Sequence, residues 1–94
     1  MKAIWQDTVI ADSTETVVLE GNHYFPASSV SSEYLVESTK TTSCPWKGTA
    51  SYRSIQVGSE TNSDAAWVYA DPKASASEIA GRFAFWRGVE IIDE

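Results

Sequence analysis

Turn-forming residues punctuate this chain at intervals of roughly 8–15 residues, a spacing that fits short strands and leaves little room for long helices. Between the turns lie β-branched and aromatic runs,. Thr8 to Ala11 and Thr16 to Leu19 flank Asp12-Ser13-Thr14-Glu15 and read as a hairpin, with Lys2 to Trp5 as a short strand before it,. Ser28 to Leu35 reads as a short helix, with Val30 and Tyr34 four apart on one face and Ser28 or Ser29 as its cap,. Ser38 to Ser43 reads as a loop or an edge strand. Cys44-Pro45-Trp46-Lys47-Gly48 reads as a turn, because Pro45 fixes φ and Gly48 permits a left-handed residue,. Thr49 to Val57 is the longest strand candidate and Gly58 to Asp64 a polar loop. Ala65 to Tyr69 is a strand that puts Trp67 and Tyr69 on one face,. Ser75-Ala76-Ser77-Glu78 matches a capping box opening one or two helical turns, which Gly81 stops,. Arg82 to Trp86 and Val89 to Asp93 read as a closing hairpin around Arg87-Gly88. The expected fold is mainly β, with antiparallel pairing and one or two short helices.

The chain has 94 residues, one of them cysteine. A folded surface of about 5,400 Å² against about 15,000 Å² unfolded buries roughly 64%, which suffices for one core. A single domain over residues 1–94 is expected,. With Cys44 alone, an intramolecular disulfide and a zinc site of several thiolates are both impossible, so the domain must hold by packing,. The lone thiol fits a reducing cytoplasm. A net charge of -6 argues against nucleic acid, since phosphate contacts need clustered Lys and Arg,. The segment Met1 to Asp7 has no apolar stretch of signal-peptide type, and no run approaches the roughly 20 apolar residues of a membrane span,. No membrane partner is expected, and the chain reads as a monomer or weak homodimer.

Four blocks occur in order: Val18 to Pro26, Thr42 to Tyr52, Ala65-Ala66-Trp67-Val68-Tyr69, and Ile79-Ala80-Gly81-Arg82-Phe83-Ala84-Phe85-Trp86. Together they resemble the bacterial domain-of-unknown-function family numbered 427. The resemblance implies a β-tent-like fold: two small antiparallel sheets meeting at an angle, related to methionine sulfoxide reductase B, Yippee proteins and the thalidomide-binding domain of cereblon. Those relatives are often pinned by zinc. The paired Cys-x-x-Cys motifs are missing here, so no zinc and no cofactor is expected, and packing from the four Trp takes the metal's place. The family is sometimes labelled nucleotidyltransferase-like, which implies Gly-Ser followed by Asp-x-Asp to hold Mg²⁺. Gly58-Ser59 is present and no Asp-x-Asp follows it.

The groups able to carry chemistry are few. Cys44 is either a small packing residue or a nucleophile or redox thiol, with Lys47 in the same turn to depress its pKa and His23 as base,. Against catalysis, Pro45 has no N–H to offer an oxyanion hole. Lys47 is either a solvated turn lysine or a point charge for an anionic or carbonyl group. Trp67 and Tyr69 are either core or the walls of an aromatic pocket, Tyr24 and Tyr52 extend the same set, and Phe83, Phe85 and Trp86 read as core. Glu20 precedes the Gly21 turn and is the one acid near these blocks. The expected function is binding of a small polar or aromatic ligand near Cys44-Pro45-Trp46-Lys47-Gly48 by His23, Tyr24, Cys44, Lys47, Tyr52, Trp67 and Tyr69. The alternatives are an enzyme using Cys44 and a protein-interaction module built on a sheet edge or aromatic patch.

Overall fold

The computed structural model describes residues 1–93. Nine strands run in chain order: β1 Lys2–Trp5, β2 Thr8–Asp12, β3 Val17–Leu19, β4 Asn22–Tyr24, β5 Leu35–Cys44, β6 Gly48–Val57, β7 Glu60–Val68, β8 Phe83–Phe85 and β9 Glu90–Ile92. The sheets number three rather than two: β2-β1-β9, β3-β4, and β5-β6-β7-β8, with every pairing antiparallel.

The four-stranded sheet is the central layer. Side chains alternate across a strand, so a sheet covered on both faces needs apolar residues at odd and even positions alike. One core cluster contains Ile55, Ala66 and Phe85 together with Ala3, Ile10 and Ala11 of the β2-β1-β9 sheet. The other contains Ala50, Tyr52 and Ala84 of the central sheet with Tyr24 of β4 and Ala76 and Ile79. The segment after β4 ties the layers together. Phe25 exchanges two backbone hydrogen bonds with Phe83, at 2.7 and 2.9 Å, and its ring meets Phe85 edge-on at 5.6 Å.

Local departures from the sequence reading have identifiable causes. Thr8 to Ala11 does not pair with Thr16 to Leu19. β2 turns back on β1 through Gln6-Asp7, and β3 turns back into β4 through Glu20-Gly21. Both connections are two-residue loops with positive φ at both positions, the geometry that matches strand twist,. β8 and β9 likewise form no hairpin; β8 pairs with β7 and β9 with β1. The expected polar loop at 58–64 is only the turn Gly58-Ser59, after which β7 begins at once. The expected helix at 28–35 is two separate 3₁₀ turns, Ala27–Ser29 and Ser32–Tyr34, because Val30 is extended and bridges Ala11 between them. Ser75 lies in a third 3₁₀ turn, Ala74–Ile79, and makes no capping bond. The stretch 38–43, left open between loop and edge, belongs to β5, an edge strand of the central sheet.

Because Phe25 is fully buried and links two layers, Phe25→Ala should cost about 3–5 kcal/mol. For a domain of this size that lowers the melting temperature by well over 10 °C, at about 4–8 °C per kcal/mol. Thermal denaturation followed by circular dichroism checks it, and a loss under 1 kcal/mol would refute the linking role.

Candidate functional site

The corner between β5 and β6 is held by its backbone. Cys44 pairs with Gly48 across three residues, Pro45, Trp46 and Lys47. Each of their carbonyls accepts a hydrogen bond from the segment before and within the third 3₁₀ turn. Lys73 Nζ donates to Pro45 at 2.6 Å, the Ser75 hydroxyl to Trp46 at 2.7 Å, and the Lys73 N–H to Lys47 at 2.8 Å. Ser75 therefore serves a distant loop instead of capping its own turn. Gly48 sits at φ +113°, where a side chain strains the backbone, and a Cβ there would lie 3.5 Å from the Lys73 nitrogen,. Fixed in this way, Lys47 turns inward and is 9% exposed, while Trp46 stays outside.

Lys47, Tyr52, Trp67, Tyr69 and Trp86 line one hollow of about 200 Å³. Tyr52 and Trp67 are register partners on β6 and β7, with ring centroids 6.4 Å apart. Trp86 closes the wall perpendicular to Trp67 at 6.0 Å. Its position comes from an irregularity in β7. Between Arg53 and Ile55 on β6 lies one residue, while three lie between Asn62 and Ala66 opposite, and Asp64 takes a positive φ. This bulge presents the Asp64 carbonyl to the Trp86 indole N–H at 2.6 Å, and the Ser63 carbonyl to the Arg87 guanidinium at 3.0 Å,. Behind the wall, the Trp67 indole donates to the buried Tyr24 hydroxyl at 3.2 Å. Tyr52 shares a hydroxyl hydrogen bond with Thr42 at 3.1 Å.

Of the seven residues singled out in the sequence, four line this hollow: Lys47, Tyr52, Trp67 and Tyr69. Tyr24 supports it from within the core. His23 follows the strand alternation to the face opposite Tyr24, and its Nδ1 shares a hydrogen bond with Thr16,. Cys44 opens instead on a separate depression with Pro45, Gly48 and Lys73. Trp86, read as core from sequence, lines the hollow and is exposed. Its role depends on the β7 bulge, which has no sequence signature beyond a polar stretch. Gly58-Ser59 is a hairpin turn between paired strands, unlike the loop that opens a helix in phosphate-binding motifs,. Among the described residues, no three His, Cys, Asp or Glu side chains gather to hold a metal, and no helix is long and apolar enough to cross a membrane.

The Lys47 ammonium is ion-paired and hydrogen-bonded to Glu20. It lies 5.4 Å from the Tyr69 ring centroid and 5.6 Å from that of Trp46,. Burial pulls its pKa down, but the Glu20 hydrogen bond and the neighbouring Tyr69 and Tyr24 phenols outweigh this and hold it above the ordinary 10.5,. Burial pushes the Tyr69 phenol up from 10.0, against the opposing pull of Lys47. At neutral pH the site thus presents a fixed ammonium and a neutral phenol. A group whose folded-state pKa is raised stabilises fully below its unfolded value, and that stability disappears as pH rises through the folded value. The melting temperature should therefore fall as pH rises above about 10. Tyr69→Phe, which removes one of these groups and part of the pull on the other, should make the decline shallower. Thermal scans between about pH 8 and 11.5 decide it, and equal slopes in the two proteins would refute it.

The model of the family described as Domain of unknown function (DUF427) matches residues 1–94. No curated protein matches the chain. A family match that runs from the first residue to the last, over the same blocks that build the corner and the aromatic wall, makes this chain a member of the DUF427 family.

Proposed function

We propose that this domain binds a small ligand with a planar apolar body and an oxygen acceptor, in the hollow between Lys47 and the aromatic walls. The observation that carries the reading is the Lys47 ammonium, held almost out of water at the edge of an aromatic box. Lysine heads normally snorkel into solvent, and burying one costs free energy unless it is paired. Glu20 takes one of its three N–H donors,. A ligand carbonyl or carboxylate has a donor to meet, and the faces of Trp67 and Trp86 give its ring a slot of two perpendicular walls,. At about 200 Å³ the space falls below the roughly 300–1,000 Å³ of drug-sized sites, so the ligand is fragment-sized,. The unpaired thiol of Cys44 supports a reducing, cytoplasmic setting,.

Benzamide is a suitable probe, because it has the ring and the acceptor and no charge. Added at millimolar concentration, it should shift the Trp67 and Trp86 indole N–H signals in nitrogen-edited NMR spectra. Trp5, packed against the opposite core, should stay in place. Trp86→Ala removes an exposed wall and should weaken binding about threefold to tenfold with little effect on folding,. Shifts confined to Trp5 or Trp46, or none at all, would overturn the proposal.

A further inference from the structure

The hollow carries a concentration of positive charge that the rest of the molecule lacks. The net charge is -6, and only seven residues are Lys or Arg. One of those seven lines it and two more lie over rings of its wall. Lys47 lines it, the Lys40 ammonium lies 5.1 Å from the Tyr52 ring centroid, and the Arg87 guanidinium lies 4.6 Å from that of Trp86. The carboxylates tied down on this side are Asp64, which accepts from the Ser38 hydroxyl, and Glu20 on Lys47. Three cations against these two carboxylates leave a surplus of positive charge beside the rings,.

The two partners of the ion pair differ in freedom. Lys47 is enclosed, and the carbonyl bonds of its corner hold its backbone. The Glu20 side chain is 48% exposed and springs from the two-residue Glu20-Gly21 turn. Returning that carboxylate to water is cheap, because half-exposed ion pairs are worth little net. Leaving the ammonium without a partner is expensive. An incoming anion solves both at once, replacing Glu20 on Lys47 while Glu20 hydrates.

We infer that the ligand is a planar anion, a carboxylate or phosphate carried on a ring, whose charged group displaces the Glu20 carboxylate from Lys47. This rests on the binding reading above and narrows its chemical class. Lys47 and the walls bind, Glu20 competes, and Lys40 and Arg87 raise the local anion concentration from the rim.

The test compares benzoate and phenyl phosphate with neutral benzamide, read by the Trp67 and Trp86 indole signals. At least one anion should bind more tightly than benzamide. Its affinity should fall between roughly 0.01 M and 1 M salt, as the screening length shrinks from about 30 Å to about 3 Å, while that of benzamide holds. Glu20→Gln should tighten anion binding about threefold to fivefold, the worth of a half-exposed pair. Lys47→Met should weaken it tenfold or more, the worth of a hydrogen bond to a charged group. Should Lys47→Met unfold, Glu20→Gln alone decides. If benzamide matches both anions and Glu20→Gln changes nothing, the anion inference falls while the binding reading stands. If no probe moves the two indole signals, both fall together.

Discussion

Burial of the central sheet on both faces is the constraint from which the rest follows. A chain of this length with one thiol has no covalent staple and must find its stability in packing,. Nine short strands, none longer than ten residues, find it by placing β5-β6-β7-β8 between two partners. The β2-β1-β9 sheet covers one face, while the β3-β4 hairpin and the third 3₁₀ turn cover the other. The second face is filled mainly by tyrosines, alanines and Trp67, and that composition decides where a site can form. Large flat rings beside alanines leave a gap at the end of the layer, whereas interlocking aliphatics close it. Tyr52, Tyr69 and Trp67 of this second core also line the hollow, and Trp86 stands perpendicular to Trp67.

Much of this was legible in the residues, for physical reasons. Period-two alternation, β-branched runs and Gly or Pro punctuation report on the strands themselves, and β1, β6 and the second half of β7 lie where those signals put them,. What sequence misplaced was pairing. Hairpins were assigned between neighbours joined by obvious turn residues, but Gln6-Asp7 makes a tight two-residue turn without glycine, and β9 crosses to the first strand of the chain. Side chains at a turn set its ease, whereas partner choice is set by which faces must be buried, and that is a property of the whole fold. The serines at 28–32 failed as a helix for a related reason. Val30 is worth more as a bridge to Ala11 than inside an isolated turn,.

The candidate site was legible wherever two of its lining residues share an extended face. Trp67 is on β7 and Tyr69 lies one residue past its end, bridging Ala80, so extended alternation brings the two together,. Tyr52 joins them by register, which a sequence does not print. His23 fails by the same rule that places Tyr24, since adjacent residues on a strand point opposite ways. Cys44 and Lys47 share a turn yet serve different hollows, because the capped carbonyls of Pro45, Trp46 and Lys47 carry the lysine inward and leave the thiol at the strand end. Ser75 shows how a capping motif in the sequence can serve another segment. Its hydroxyl lies inside the turn, past the capping position held by Lys73, and donates to the Trp46 carbonyl,.

Lys47 is buried but its partner Glu20 is half-exposed, and such an ion pair is weak evidence of a scaffold role,. Replacing such a pair with apolar residues of similar volume is often neutral or stabilising, because desolvation offsets the attraction. Much is arranged around Lys47. Three carbonyl caps come from residues 73–75, a glycine at φ +113° follows it, and a carboxylate is delivered from the β3-β4 turn. Local rules tend to be broken at sites and obeyed in scaffolds. Here a lysine is buried and a tryptophan is left exposed around one hollow, and a glycine beside that lysine sits at a φ other residues avoid. Each departure alone has an ordinary structural cause. The buried lysine and the exposed tryptophan meet at one space of about 200 Å³, and that meeting is what the proposed binding role rests on,.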